Sequence, residues 1–296
     1  MKPVEKCGYV AIIGRPNVGK STLLNGLVGQ KVSIVSPKPQ TTRNQILGIK
    51  TQEGAQAVYI DTPGLHKAEQ RAMNRYMNRL ASSVIIDADV VVFMVEAARW
   101  QADDETVLEK LVDTKAPVIL VINKIDLLKD KSRLLPFIDR LQKKFSFAQI
   151  MPFSAKKSDK LAELEKIIRQ YLPVGPHLFP AEQITDKNKH FQAAELIREK
   201  LIQVTEQEIP YSTTVITDSL EQQGKIINIS AIIWVEREGQ KPIVIGKDGE
   251  RLKKIGTLAR KDLEKLLKSK VFLRLWVKVK SNWTDSERLL QSLGFE

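Results

Sequence analysis

GRPNVGKS, residues 14–21, decides how the N-terminal half of the chain is read. It satisfies G-x-x-x-x-G-K-[ST]. The apolar run YVAIIG (9–14) leads into it and reads as a strand; KSTLLNGLVG (20–29) follows and reads as a helix. That context turns a short pattern into a site. A loop entering a helix presents unpaired backbone N–H groups and the positive end of the helix dipole, and both attract phosphate. The expected phosphate-facing residues are Gly14, Arg15, Pro16, Asn17, Val18 and Gly19. Lys20 would reach the β- and γ-phosphates, and Ser21 would give an oxygen to Mg2+.

Working outward, four further apolar runs appear: AVYID (57–61), VVVFMVEA (90–97), PVILVINK (117–124) and AQIMPF (148–153). Their near-continuous Val and Ile content predicts strands buried on both faces. The expectation is an α/β domain over residues 1–172, with a mixed, mainly parallel sheet wrapped by helices. Ligands bind such sheets beyond the carboxyl ends of the strands, and three polar motifs fall there. DTPG (Asp61, Thr62, Pro63, Gly64) suits the metal side, with Asp61 acting through water. NKID (Asn123, Lys124, Ile125, Asp126) brings a carboxylate that can accept two hydrogen bonds from a guanine edge, which adenine cannot offer. SAK (Ser154, Ala155, Lys156) alone would be an ordinary loop.

In this order the four motifs resemble the translation-factor-related GTPases, to which Ras belongs. The resemblance implies GTP binding and hydrolysis with Mg2+. It implies guanine recognition by Asn123, Lys124 and Asp126, supported by Ser154 and Ala155. PQTTRN (39–44) occupies the place of the first switch, where a threonine closes over the γ-phosphate and Mg2+. Thr42 is favoured over Thr41, with the register open. Ras-like proteins carry a water-orienting glutamine directly after the DxxG glycine. Here that position is Leu65, which cannot hydrogen-bond water, so slow intrinsic hydrolysis is expected. Asn17 resembles a K+-coordinating position in relatives with this substitution. K+ would supply charge where an arginine finger otherwise acts; without it, Asn17 is a loop-stabilising residue. Lys20, Thr42, Gly64 and Asn17 form the candidate catalytic group, and Ser21, Thr42 and Asp61 the candidate metal group.

The net charge of +12 favours an anionic partner, nucleic acid or an acidic membrane surface. A single cysteine, Cys7, excludes an intramolecular disulfide and suits a reducing compartment. No apolar run reaches membrane-spanning length, so a cytoplasmic protein with at most peripheral membrane contact is expected. His66, His177 and His190 lack metal-ligand spacing.

LPVGPHLFPAEQ (172–183) breaks every periodic pattern, and residues 173–185 are expected to be a linker. Beyond it, over 186–296, the expected order is α-β-β-α-α-β: a helix at 190–207, strands at 212–220 and 225–237 in a hairpin, KPIVIG, a helix at 250–268 and a strand at 271–280. GKDG (246–249) runs straight into that last helix, and residues 241–280 hold 13 Lys/Arg against 4 Asp/Glu. A second triphosphate loop is disfavoured, because the Gly-Lys-Ser ending is missing. A bare GxxG is also common at ordinary helix corners. With its order and basic helix, the segment resembles a KH domain of the type that carries its extra helix and strand at the N-terminal side. The resemblance implies an α+β domain that clamps about four nucleotides of single-stranded nucleic acid. Ile245, Gly246, Lys247, Gly249, Arg251, Lys253 and Lys254 are the RNA-binding candidates. Asp248, which would repel phosphate, is expected to point away. On the final strand Arg274, Trp276, Lys278 and Lys280 share the outer face, where Trp234 joins them; base stacking or packing could use it.

The whole chain resembles the Era family of GTPases, also through KPQTTRNQILGI, IDTPGLH, WVEREGQK (234–241) and LWVKVKSNW (275–283). That resemblance implies a monomeric ribosome-assembly GTPase binding 16S rRNA near its 3′ end on the 30S subunit, with peripheral contact to the inner membrane. The competing class is a membrane-associated signalling GTPase whose basic domain binds anionic lipid or another RNA.

Overall fold

The computed structural model describes residues 5–36, 38, 41–64, 72–205 and 212–295. It divides into two compact units, residues 1–70 with 74–186 and residues 71–73 with 187–296.

The first unit carries β1 (Lys6–Ile13), α1 (Lys20–Val28), β2 (Ile46–Gln52), β3 (Ala55–Asp61), α2 (Ala72–Asp87, whose first two residues fall in the second unit), β4 (Val90–Glu96), α3 (Ala102–Glu109), β5 (Val118–Asn123), α4 (Leu134–Gln142), β6 (Gln149–Pro152) and α5 (Leu161–Tyr171). The strand order is β2-β3-β1-β4-β5-β6, with every pair parallel except β2 and β3. Every residue of β5 and all of β4 up to Glu96 is buried, as double-sided packing requires. The parallel strands therefore end on one edge, at Ile13, Asp61, Glu96, Asn123 and Pro152.

The sequence reading missed β2. Its central Gly48 looks like a strand breaker, yet a Cβ there would lie 2.6 Å from Leu24 Cδ1 and 2.7 Å from Val28 Cγ2. The glycine lets the strand pass close beneath α1.

Residues 173–185, expected to be a linker, are a strap along the first unit. Cys7 N donates to Pro173 O (3.0 Å) and Gly175 N to Glu5 O (3.1 Å). Buried Gln56 accepts from Leu178 N (2.8 Å) and Phe179 N (2.9 Å) on its Oε1, and its Nε2 donates to Phe179 O (2.8 Å). Farther on, Ile49 N donates to Ile184 O (2.9 Å) and Leu47 N to Asp186 Oδ1 (3.1 Å). The division between units falls after this last contact.

The second unit holds α6 (Lys189–Val204), β7 (Thr213–Gln223), β8 (Ile226–Val235), α7 (Gln240–Ile245), α8 (Glu250–Leu267), β9 (Lys270–Val279) and α9 (Glu287–Ser292). The order α-β-β-α-α-β is the one expected, and KPIVIG is the short helix α7. The sheet runs β7-β8-β9, with a β7–β8 hairpin and parallel β8–β9. Ile229, Ala231 and Ile233 of β8 pack with Ala193, Ile197 and Leu201 of α6 and with Ile255, Ala259 and Leu263 of α8. Lys200 ties the two helices, meeting Asp262 Oδ2 at 2.6 Å. In the tail, fully buried Trp283 stacks on Phe295 (centroids 6.0 Å apart) and donates to Ser212 O at 3.2 Å.

Gln56→Ala should strand three backbone groups of the strap. A loss of about 3 kcal/mol is expected in urea unfolding, with faster hydrogen exchange at Leu178 and Phe179; unchanged exchange there would contradict the strap's dependence on this side chain.

Candidate nucleotide site and nucleic-acid interface

The carboxyl edge of the first sheet gathers most of the residues picked out by sequence. Lys20, almost fully buried, donates from Nζ to the carbonyls of Gly14 (2.9 Å) and Arg15 (3.1 Å). Burial pushes its pKa down to about 8, against the attraction of Asp61. Asp61 is fully buried and ends β3. Its Oδ2 accepts from Ser21 Oγ (2.7 Å), Ser33 Oγ (2.8 Å) and Thr42 Oγ1 (3.2 Å), and Ser21 and Thr42 lie 3.0 Å apart. Burial raises the Asp61 pKa despite Lys20 and these hydroxyls. Of the two switch threonines, Thr42 is the one beside Asp61; Thr41 Oγ1 donates to Lys38 O at 2.6 Å.

Asp61 Oδ1 is buried with no hydrogen-bond partner. An orphaned buried acceptor is costly, and a hydrated cation would satisfy it. The three neighbouring oxygens are the hard donors that Mg2+ takes, so the residues present fit that ion. Thr62 Oγ1 donates to Ile12 O (3.0 Å), Gly64 lies against Pro16, and Val18 is fully buried. A cavity of about 740 Å3 opens over Asn17, Lys20, Ser21, Thr42, Gly64 and Lys124. Asn17 takes the left-handed conformation, φ 63°. Leu65 lies outside the described residues, as do Pro39 and Gln40.

On the other side of the cavity, Asn123 is a brace. Its Nδ2 donates to Val18 O (2.7 Å) and its Oδ1 accepts from Ala155 N (2.8 Å), so one amide joins the phosphate loop to the SAK loop. Ser154 Oγ donates to Asp126 Oδ1 (2.6 Å), which orients a carboxylate that is half-buried rather than buried. Ile125 N donates to Phe153 O (3.3 Å), and Lys156 is exposed.

Sequence reasoning missed Ser33, Glu96 and Asp104. Glu96 Oε2 accepts from both Arg15 Nη2 (2.9 Å) and Lys124 Nζ (3.0 Å), linking the phosphate loop to NKID. Burial opposes its ionisation, but Lys124 and Arg15 together hold its pKa below the usual range. Arg15 Nε also meets buried Asp104 Oδ2 at 3.2 Å. Glu96 could have been found: it ends β4 and sits in register with Asn123.

In the second unit, GKDG joins α7 to α8. Gly246 has φ +78°, and a Cβ there would lie 2.6 Å from Arg251 Cβ, so only glycine fits. Asp248 and Gly249 are also left-handed, at φ 50° and 78°. Lys247, Asp248, Lys253 and Lys254 are exposed, and Ile245 packs on the core. Arg251, expected among the cleft residues, donates from its guanidinium to Ile243 O and closes the end of α7.

Fold and site together define a P-loop GTPase domain joined to a KH domain. Residues 9–124 match the family model described as 50S ribosome-binding GTPase, and residues 208–284 match the KH domain model. The chain is 55% identical to GTPase Era of Coxiella burnetii, covering 100% of both chains, and 54% identical to GTPase Era of Ectopseudomonas mendocina, covering 99% of this chain and 98% of that one. A crystal structure of a point variant of Aquifex aeolicus Era bound to GDP and AlF4− superposes with TM-score 0.94 at 42% identity, covering 98% of this chain and 99% of that one. A structure of Era with MgGDPNP and nucleotides 1506–1542 of 16S ribosomal RNA gives the same TM-score, identity and coverage. The chain belongs to the Era family of GTPases.

Ser154→Ala removes a hydrogen bond to a carboxylate without touching the phosphate loop. GDP affinity should fall about tenfold, read by fluorescent-nucleotide titration, with thermal stability nearly unchanged.

Proposed function

We propose that the chain uses GTP as a timer for binding 16S rRNA near its 3′ end during assembly of the 30S subunit. The observation that carries this reading is the convergence of Lys20, Ser21, Thr42 and Asp61 with Asp126 on one strand edge, in a chain whose other unit bears a GxxG turn. The RNA assignment draws on the similar Era crystallised with nucleotides 1506–1542 of 16S rRNA.

Asp126 accepts from the guanine edge, aligned by Ser154. Lys20 gives up its two carbonyl partners to meet the β- and γ-phosphates. Ser21, Thr42 and, through water, Asp61 would hold Mg2+, which would neutralise charge on the phosphate oxygens. Asn17 would hold K+, whose positive charge would assist hydrolysis. Leu65 cannot hydrogen-bond the attacking water, so the rate is slow unless other groups orient it. Ile245, Gly246, Lys247, Gly249, Lys253 and Lys254 form the RNA cleft, with Arg251 bracing it. The protein works as a cytoplasmic monomer with peripheral contact to the inner membrane.

GTP orders the Thr42 and DTPG segments, and its hydrolysis releases them. Because β2 follows the Thr42 segment and is hydrogen-bonded to the strap, that change is passed along residues 184–186 toward the second unit. RNA affinity at fixed salt should therefore differ at least about fivefold between GDPNP and GDP forms; equal affinities would remove the coupling. Replacing K+ by Na+ should slow turnover, and Asn17→Ala should abolish the difference. Lys20→Ala should lose turnover altogether. If Gly246→Val left RNA binding intact while anionic vesicles still bound, the lipid reading would replace this one.

A further inference from the structure

We propose that the open face of the C-terminal sheet is a second platform for single-stranded RNA, on which Phe272 and Trp276 stack bases that leave the GKDG cleft. The inference rests on the KH reading of this unit.

The helices α6, α7 and α8 cover one face of the β7-β8-β9 sheet, where Ile229, Ala231, Ile233, Val271 and Val277 are buried. The alternate residues face the other way, and strand register places them in rows. Asn228 lies beside Phe272, Ser230 beside Arg274, Ile232 beside Trp276 and Trp234 beside Lys278. Phe272 is 50% exposed and Trp276 57% exposed within the whole chain. Large rings left in water on a flat face are a cost that packing would normally remove.

Charge decides what kind of partner they suit. Arg274 stands over the Phe272 ring at 5.1 Å, and Lys278 and Lys280 stand over Trp234 at 6.0 and 5.7 Å. Rings interleaved with cations are the recurring surface for single-stranded nucleic acid, where bases stack and phosphates meet the cations. The acidic residue in register on this face, Glu221, belongs to β7, the far strand, where Asp218 sits at a register shift; β9 itself carries only basic charges, Lys270, Arg274 and Lys278. A membrane-inserting face would need contiguous apolar surface; here Arg274 and its neighbour Ser230 separate the two rings along the sheet, and Asn228 lies beside Phe272, with Ile232 the apolar neighbour of Trp276.

Continuity with the cleft adds a second reason. β9 is the edge strand of its sheet, and α8, which opens at GKDG, packs behind it through Gly256 and Leu275. RNA held at the turn needs only to pass the β9 edge to reach the open face. Phe272 and Trp276, four residues apart on a strand, stand about 13 Å from each other, so they take separate bases.

The test compares two unstructured RNAs at fixed salt by fluorescence anisotropy: one of about 6 nucleotides, which the cleft alone can hold, and one of about 14. The combined Phe272→Ala and Trp276→Ala variant should bind the longer RNA at least about tenfold more weakly and the shorter one within twofold of wild type. Trp276→Phe should restore most of the loss, which separates stacking from misfolding. Arg274→Ala with Lys278→Ala should flatten the salt dependence for the longer RNA only. Bromouridine placed beyond the cleft should crosslink to Trp276. Wild-type binding of the longer RNA by the aromatic variant would overturn the proposal, as would loss of phosphatidylglycerol-vesicle binding or of self-association with RNA binding intact. Gly246→Val weakens both RNAs if the KH reading holds; if it weakens neither, that reading fails, independently of the sheet face.

Discussion

Two buried charges of opposite sign, Lys20 and Asp61, set the terms for the nucleotide site. Each has been taken out of water at the carboxyl edge of the sheet, and each has its pKa moved toward neutrality by that burial. No direct ion pair between them appears among the described contacts; Lys20 turns to two carbonyls and Asp61 collects three hydroxyls. Such a pocket is held at an electrostatic disadvantage. A magnesium triphosphate reverses the sign of the problem: anionic oxygens suit a buried ammonium, and a cation suits a buried carboxylate. The disadvantage is tolerable because the surrounding sheet is rigid, with β4 and β5 packed on both faces. On the same packed strands, Asn123 and Glu96 tie the SAK loop and Lys124 to the GRPNVGKS loop through single side chains.

The second glycine-bearing turn uses related physics under a different electrostatic regime. GKDG lies among exposed lysines, not buried ones, so the attraction for phosphate proposed for it would be long-ranged and salt-sensitive. Gly246 is required by close approach to Arg251, and Arg251 in turn closes the end of α7. Asp248, which would repel phosphate if it faced the cleft, occupies a left-handed and exposed position in the turn. Asp is among the few side chains that tolerate that conformation, which accounts for an acidic residue in a basic neighbourhood on backbone grounds.

How much of this was legible in the sequence depended on whether a feature is local. The phosphate loop, DTPG, NKID and SAK are contiguous strings at strand ends, and apolar runs announce the strands. The KH order was readable for the same reason, since its helices and strands have distinct periods. What escaped was set by tertiary pairing. β2 carries Gly48 at its centre because α1 lies on it, a requirement that no local pattern displays. Glu96, Asp104 and Ser33 are single polar residues whose roles come from partners 28 to 89 positions away. Arg251 looked like one more cation on a basic helix, but its reach is back to Ile243. The strap was misread because proline and glycine suppress periodicity whether a segment is free or held by a neighbour's side chain, here Gln56.

That misreading bears on how the two units can be coupled. A free linker of thirteen residues would let a nucleotide-driven change in the first unit dissipate before reaching the second. The strap leaves no such slack. Its last described contact to β2 is made by Asp186, and Asn188 already caps α6 through Phe191 N at 2.9 Å. Lys187 alone lies between a residue bound to β2 and the cap of the next helix. A hinge this short absorbs a change in backbone direction at very few dihedrals. If GTP shifts β2 from the Thr42 segment, as proposed above, the shift would be absorbed at the dihedrals around Lys187, carried into α6, or taken up by breaking the Leu47–Asp186 and Ile49–Ile184 hydrogen bonds. At roughly 0.5–1.5 kcal/mol net for each such bond, breaking both costs about as much as the 1–3 kcal/mol typical of allosteric coupling. Release of both bonds would thus cost about as much as a typical coupling energy, which makes them strong enough to matter to the proposed transmission.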